Sequence, residues 1–127
     1  MSKIYRFEDL EAWKIAGEVT KEVYRISKNN AFSRDYGLRD QICRASVSVM
    51  SNIAEGFERD GNKEFINFLS IAKGSSGEIR SQLYAALDQA YISENEFKTI
   101  YEKVTENSRV ISGLINSVVP NLVPEFK

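Results

Sequence analysis

The stretch from Phe65 to Ala90, FINFLSIAKGSSGEIRSQLYAALDQA, decides the fold of this 127-residue chain. Its apolar and small residues recur at alternating steps of four and three, the heptad spacing of helices that interlock side by side. Those residues are Phe65, Leu69, Ala72, Ser76, Ile79, Leu83, Ala86 and Ala90. Gly74–Gly77 has the composition of a linker, but the heptad continues through it in phase. We therefore predict one helix, with a neighbouring helix approaching closely at these small residues.

A second heptad lies further along the chain and stops before Pro120, a residue that cannot continue a helix. Ser93 and Glu96 stand at capping-box spacing just before it, which predicts where this helix begins. The members of the heptad are Phe97, Tyr101, Val104, Ser108, Ile111, Ile115 and Val118.

Two more segments with helical periodicity precede these heptads. Together the four segments predict helices at about 8–28, 35–59, 62–91 and 94–118, with Ser33 and Asn62 as N-caps. Because the connections are short, the predicted fold class is all-α, an antiparallel up-down-up-down four-helix bundle that assembles as a homo-oligomer. A single domain is expected over residues 1–127, with a loose tail at 120–127.

The composition excludes several classes of function. Seventeen basic and eighteen acidic residues give a net charge of −1, which provides no overall attraction to nucleic acid or to an anionic membrane. The chain has no histidine, which removes the commonest general base and a common metal ligand. Without histidine, a structural role for Glu55 and Glu78 is favoured over an acid–base or metal-binding one. We predict no enzymatic activity, catalytic residue, cofactor or metal site.

Cysteine content and hydropathy indicate the compartment. Cys43 is the single cysteine, so no internal disulfide forms and a reducing, cytoplasmic setting is predicted. The chain contains no signal-peptide pattern and no run of 18 apolar residues, so membrane association is not expected.

The first predicted helix carries more apolar surface than one core requires. Its charged residues gather in an arc of about 120° when successive residues are placed about 100° apart. The rest of the circumference is apolar or small, and it is wider than the stripe that covers a single core. We therefore predict self-association through a surface formed by Trp13, Ala16, Val19, Val23 and Ile26.

The second predicted helix bears an unusual polar stripe. Steps of three and four residues place Arg44, Ser48, Asn52, Glu55 and Arg59 on one face. A solvated face is normally richer in lysine and glutamate, whereas small neutral groups among two arginines indicate contact with protein or ligand.

The turn near Gly61 relates this stripe to the third predicted helix. Positions whose numbers sum to about 122 lie level if the two helices are antiparallel about that turn. Arg44 is then opposite Glu78, which predicts an interhelical salt bridge. Glu55 and Arg59 form an i,i+4 pair within the second helix. The stripe is therefore predicted to be a polar connection between the two helices.

The candidate contacts for an anionic partner are Arg34, Arg39, Arg59 and Lys63. Acidic residues are interleaved with them, and an ordinary mixed-charge face is the favoured interpretation. Binding of RNA or a nucleoprotein remains open at this point.

Several motifs together resemble those of a known family, the small bacterial four-helix-bundle proteins encoded in 23S ribosomal RNA intervening sequences. The resemblance covers nearly the whole chain, and its most specific parts are the Asn-Ile-Ala-Glu-Gly core and the downstream Gly-Ser. The residues that carry it are Asp9, Leu10, Trp13, Tyr36, Gly37, Leu38, Gln41, Ile42, Arg44, Ala45, Ser48, Asn52, Ile53, Ala54, Glu55, Gly56, Phe57, Arg59, Ala72, Lys73, Gly74, Ser75 and Glu78.

The resemblance implies a ring-like homopentamer without established enzymatic activity. The family is also similar to the accessory variability determinant of diversity-generating retroelements, a basic pentamer that binds nucleic acid, although this chain is close to neutral. The favoured hypothesis is a non-enzymatic, homo-oligomeric accessory factor associated with RNA or a nucleoprotein. The alternative is a protein–protein assembly scaffold without nucleic-acid binding. The residues that carry the family signature, with no chemical role assigned, are Arg44, Ser48, Asn52, Glu55, Arg59, Ser75 and Glu78.

Overall fold

The computed structural model describes residues 3–121, which form helices and contain no β-strand. Short 3-10 helices lie at Phe7–Asp9 and Val119–Asn121. The five α-helices are α1 (Glu11–Ile26), α2 (Asn30–Arg34), α3 (Tyr36–Glu58), α4 (Asn62–Asp88) and α5 (Glu94–Val118). The four long ones agree with the predicted helices to within about three residues at each end. The predicted loose tail falls largely on residues 122–127, which lie outside the described residues.

One hydrophobic core lies between the four long helices. α1 packs against both α3 and α5, and α4 packs against the same two helices. The large side chains with less than 2% of their surface exposed include Ile26, Ile42, Ile53, Leu69, Ile79, Leu83, Ile100 and Ile111. Polar contacts cross every pair of adjacent helices. They join Thr20 to Ser46 O at 3.2 Å, Ser48 to Ser75 at 2.9 Å, Ser76 to Val104 O at 3.4 Å and Asn107 to Ala12 O at 2.9 Å.

The subunit surface predicted on the first helix is wrong, because its residues belong to the core of the single chain. Ala16, Val19, Val23 and Ile26 are at most 2% exposed. Trp13 is half-buried and meets Phe7 edge to face, with ring centroids 5.3 Å apart. The apolar face of α1 is wide because the helix packs against two neighbours and the preceding 3-10 turn.

The segment between the first two predicted helices, for which the sequence predicted no helix, contains the short helix α2. Phe32 in this helix is fully buried and stacks on Tyr91 at 5.3 Å between ring centroids. The predicted N-cap Ser33 is wrong, since its hydroxyl donates back to Asn30 O at 2.7 Å. Asp35 caps α3 instead, and its Oδ1 accepts from the backbone N–H of Leu38 at 3.1 Å.

α4 runs without interruption through Gly74–Gly77, as the heptad predicted. The close approach predicted at the two glycines is wrong. A Cβ placed on Gly74 would meet nothing within 4 Å, and one on Gly77 would meet only the end of the Arg80 side chain. The small residues that face neighbouring helices are Ser75 and Ser76, which are buried.

The two ends of α4 show why its boundaries differ from the prediction. Gly61, with φ of 101°, is the N-cap in place of the predicted Asn62. The helix stops at Asp88 because Ala90 adopts φ of 60° and the Tyr91 N–H turns back to Ala86 O at 2.9 Å. This left-handed position normally favours glycine.

The capping box predicted for the last helix is confirmed at the start of α5. Glu96 N–H donates to Ser93 Oγ at 3.0 Å, and Ser93 N–H donates to Glu96 Oε1 at 2.9 Å. None of the helices in the described part of the chain has an apolar stretch long enough to cross a bilayer.

Candidate functional site

The polar stripe of α3 meets α4 through a hydroxyl pair at its centre. Ser48 Oγ lies 2.9 Å from Ser75 Oγ, and Ser75 is only 8% exposed. Asn52 donates to the carbonyl and the hydroxyl of Ser48 at 2.8 and 3.0 Å. Three signature residues from two helices thus satisfy one another at the seam. The predicted register, in which level positions sum to about 122, places Ser48 opposite Gly74, one residue away from its actual partner Ser75.

Near the α3–α4 turn, the charges of the stripe are paired. Arg59 donates to Glu55 at 2.8 Å, which confirms the i,i+4 pair, and it also reaches Glu64 at 3.4 Å. The hydrogen bond to Glu55 raises the pKa of the Arg59 guanidinium. The same group lies 5.0 Å from the centre of the Phe68 ring. Arg59 is therefore engaged within the fold.

At the other end of the stripe, the predicted Arg44–Glu78 salt bridge is wrong. The two side chains do lie level, as the register about Gly61 predicted, but they border a notch of about 370 Å³ between α3 and α4 without forming an ion pair. Within residues 3–121, neither side chain has another hydrogen-bond or ion-pair partner. This cavity is called the polar notch, and its lining consists of Gln41, Arg44, Ala45, Ser48, Glu78 and Gln82.

The polar notch also contains a buried amide atom without a partner. Gln82 Oε1 is inaccessible to solvent and accepts no hydrogen bond from the described residues. A buried acceptor without a partner costs about 1–3 kcal/mol. Within residues 3–121, the lining of the notch therefore includes two unpaired charges and one residue whose buried acceptor has no hydrogen bond.

A second cavity of about 490 Å³ adjoins the polar notch on the α1 side and shares Arg44 and Ser48 with it. Its other walls are Tyr24, Asp40, Cys43 and Val47. Tyr24 and Val47 are 44% and 40% exposed, so apolar surface lies next to the polar notch.

The four predicted contacts for an anionic partner are not brought together as a free basic surface. Arg39 pairs with Asp40 at 3.1 Å, donates to Ser33 O and lies over the Tyr36 ring. Arg59 is paired as described, and Lys63 also interacts within the fold. Arg34 is exposed and has no ion pair among the described residues.

A different basic surface, which sequence reasoning missed, lies between α4 and α5. Lys73, Arg80 and Arg109 line a groove of about 450 Å³ and have no ion pair among residues 3–121. Its lining contains no acidic residue, and the remaining members are Thr105, Ser108, Ser112, Gly113 and Asn116. Thr105 Oγ1 is buried and has no hydrogen-bond partner in the described part of the chain. This basic groove left one weak sequence signal, since Lys73 and Arg80 lie one heptad apart and so share a helix face.

Three aromatic side chains form a cluster on the same α4–α5 surface. The rings of Tyr84, Phe97 and Tyr101 lie 4.9–5.5 Å apart, and Tyr84 is 50% exposed. A hydrogen bond with Tyr101 raises the pKa of Tyr84. A cavity lined by Tyr101, Glu102, Thr105 and Arg109 lies between this aromatic cluster and the basic groove, and it shares Thr105 and Arg109 with the groove.

The described residues contain no group of acidic residues and cysteine arranged to hold a metal ion. Fold and surface together define the class as an all-helical bundle protein whose polar sites lie between helices. The chain belongs to the family of 23S rRNA-intervening sequence proteins, whose model matches residues 8–113. This membership agrees with the resemblance carried by the signature residues.

A solved structure supports the fold. It is that of a protein of unknown function from the S23 ribosomal protein family of Bacteroides thetaiotaomicron VPI-5482, with a TM-score of 0.75 and 22% sequence identity. The similarity covers 82% of this chain and 97% of that one. Among curated proteins, none matches this sequence.

Proposed function

We propose that this protein is a non-enzymatic, cytoplasmic accessory factor that binds single-stranded RNA along the surface shared by α4 and α5. The observation that carries the proposal is the basic groove, in which Lys73, Arg80 and Arg109 face one cavity without an acidic neighbour in its lining. The net charge of the chain is −1, but three positively charged side chains lie together in this groove, so the groove is a local site for anions. Phosphate groups are the anions that RNA presents.

The aromatic cluster supports a single strand over a duplex. Unpaired bases stack on exposed aromatic rings, whereas the bases of a duplex are already stacked on one another. Tyr84 offers half of its surface, and Arg80 lies one helical turn away on α4. A strand whose phosphates lie in the basic groove therefore reaches a stacking surface within its next nucleotides.

RNA binding is tested by filter binding of single-stranded oligonucleotides over a series of salt concentrations. The variant replaces Lys73, Arg80 and Arg109 with glutamine, and each lost phosphate contact should reduce the slope of log K against log salt by about 0.7. The matched control replaces three exposed lysines, Lys14 and Lys21 on α1 and Lys28 just after it, with glutamine, so it has the same net charge. Equal losses in both variants, or no binding by the natural protein at low salt, would contradict the proposal.

The proposal includes the topology and the assembly. An antiparallel up-down-up-down arrangement is supported by the order of contacts between neighbouring helices. On α1 and α3, Gly17 lies beside Met50 and Thr20 beside Ser46, so residue numbers rise along α1 as they fall along α3. A homopentamer is proposed from the family resemblance. Because four of the five expected contact residues of α1 are buried, the proposed interface involves other side chains, and Ile71 is 52% exposed on α4. Light scattering coupled to size-exclusion chromatography measures the assembly, and a monomer at micromolar concentration would contradict it.

The second candidate is a protein–protein assembly scaffold that binds no nucleic acid. The exposed side chains of Tyr24, Val47 and Ile71 favour it, because apolar surface is the usual centre of a protein interface. An oligomer in solution combined with no RNA binding at low salt would select this candidate.

A further inference from the structure

We infer that the polar notch binds a small zwitterion of the α-amino acid class, with its carboxylate on Arg44 and its ammonium group on Glu78. The inference is independent of RNA binding, since the polar notch lies between α3 and α4 and shares no residue with the basic groove. It starts from two opposite charges on facing helices that border one cavity without pairing.

The charges of the polar notch select the ligand class. A free phosphate or a simple carboxylate would be attracted by Arg44 and repelled by Glu78, and a simple amine would meet the reverse arrangement. A molecule that carries both charges a few ångströms apart satisfies both side chains. The guanidinium can bind a carboxylate with two parallel hydrogen bonds, and the carboxylate of Glu78 accepts from an ammonium group.

Gln82 provides the third point of recognition. An ammonium group has three N–H donors, so Glu78 alone leaves some of them unused. Gln82 lines the same cavity, and its Oε1 accepts no hydrogen bond from residues 3–121. Because this oxygen is inaccessible to solvent, it meets the ammonium group only after the side chain changes rotamer. If the Gln82 amide is rotated by 180°, its NH₂ group takes the place of Oε1. That donor would bind the carboxylate of a ligand held in the opposite orientation.

The size of the cavity and its rigid floor favour a small ligand. A volume of about 370 Å³ lies near the lower end of the range for small-molecule sites. Ser48 is held in place by Ser75 and Asn52, which keeps α3 and α4 in register beside the notch. The adjoining cavity beyond Arg44 exposes Tyr24 and Val47, so an apolar side chain on the ligand is preferred.

The test titrates the ¹⁵N-labelled protein with L-leucine, N-acetyl-L-leucine and L-leucinamide, and follows the amide resonances of residues 41–48 and 78–82 by NMR. The second ligand lacks the ammonium charge and the third lacks the carboxylate. L-leucine should bind, and each blocked compound should bind roughly tenfold more weakly, because one charge-assisted hydrogen-bonding group is lost. No shift up to about 10 mM L-leucine, or equal shifts with all three compounds, would overturn the inference.

Two variants assign the charges separately. Arg44→Gln should abolish the preference for L-leucine over L-leucinamide while keeping its preference over N-acetyl-L-leucine, and Glu78→Gln should do the reverse. The controls Lys98→Gln and Glu106→Gln likewise remove one positive and one negative charge on α5, outside the notch, and should leave all three affinities unchanged. If both notch variants weaken the three compounds equally, or if neither changes the affinity for L-leucine, the assignment is wrong. Retained folding is checked by the unperturbed resonances of α5.

Discussion

The α3–α4 interface is tight beside its connecting turn and open at its other end. Near the turn, a Cβ on Gly56 would lie 2.6 Å from Phe68 Cβ, and Arg59 is paired with carboxylates. Four helical turns away, Arg44 and Glu78 flank the polar notch without pairing. Arg59 at the tight end and Arg44 at the open end both belong to the polar stripe of α3. The difference shows that a single sequence pattern can serve packing at one end and leave charged groups available at the other.

The geometry of the helices explains this difference. Gly56 has no side chain, so α3 approaches the α4 phenylalanines there, and further along the seam Ser75 still packs against Ser48. At the level of Arg44 and Glu78 the side chains are long and charged, and the space between them is not filled by apolar groups. Close contact near the turn and separation beyond Ser48 are therefore consequences of residue size.

The largest expected effect comes from breaking the tight end with Gly56→Ala. The new Cβ would collide with the Cβ of Phe68, which cannot move without shifting the helix, and the free energy of unfolding should fall by about 1–3 kcal/mol. Gly74→Ala is the matched control, because nothing lies within 4 Å of its Cβ and alanine favours the helix by about 0.5–1 kcal/mol. Urea unfolding measures both, and changes of the same sign would contradict the comparison.

A reference outside the interface is the capping box of α5. Ser93→Ala removes the acceptor for the Glu96 N–H and should cost about 0.5–2 kcal/mol at neutral pH. Urea unfolding at pH 7 measures this cost. We expect this loss to be smaller than the loss caused by Gly56→Ala. A larger loss would show that the cap contributes more to stability than the close packing at Gly56.

The same cap introduces a pH dependence. The hydrogen bond from Ser93 N–H, with help from Asn29 and Arg25, lowers the pKa of Glu96 below its ordinary value. The ionised form is therefore favoured by folding, and its contribution is present above the pKa of the unfolded chain and is lost as the pH falls through the folded-state pKa. Glu96→Gln should flatten the acid limb of stability plotted against pH. An acid limb that is unchanged in this variant would show that other carboxyl groups dominate.

The centre of the interface should respond less than its tight end. Ser75→Ala leaves Ser48 with Asn52 alone and should lower the free energy of unfolding by about 0.5–1.5 kcal/mol. Ser81→Ala on the exposed face of α4 is the control, with a change within about 0.5 kcal/mol. Thermal unfolding of both variants measures the difference, and equal values would show that the hydroxyl pair adds nothing to the seam.

The smallest effects distinguish the paired charges from the unpaired ones. A double-mutant cycle on Glu55 and Arg59 should give a small favourable coupling that weakens with added salt, because both side chains are half-exposed. The same cycle on Arg44 and Glu78 should give a coupling close to zero without ligand. A clear coupling in the second cycle would mean that the two ends of the interface do not differ in solution.

Periodicity in the sequence predicted the long helices and the α5 cap, because heptads and capping boxes are local patterns. It did not predict α2 or the cap at Asp35. The partner that buries Phe32 is Tyr91, which lies 59 positions further along the chain, and a five-residue helix is too short to show a period. Local patterns therefore predicted elements well and missed those that depend on distant contacts.

The site predictions failed for a related reason. The width of an apolar face shows how much surface a helix buries but not whether the neighbour is the same chain, so Val19 and Val23 were assigned to the wrong surface. Similarly, the basic groove combines Lys73 and Arg80 with a residue of another helix. Arg59 is paired and Arg44 has no partner among residues 3–121, and both outcomes depend on side-chain reach across the seam. Spacing placed Arg44 level with Glu78 and could not measure the gap between them.

Tyr91 links two connections at one end of the bundle. Its ring stacks on Phe32, its hydroxyl donates to Asp35 at 3.0 Å, and its carbonyl accepts from Asn29 at 3.1 Å. One residue thus ties the connection between α1 and α3 to the turn between α4 and α5. Separating the two connections breaks all three contacts together, so we expect the two connections to open as one unit and their amide protons to exchange with solvent together.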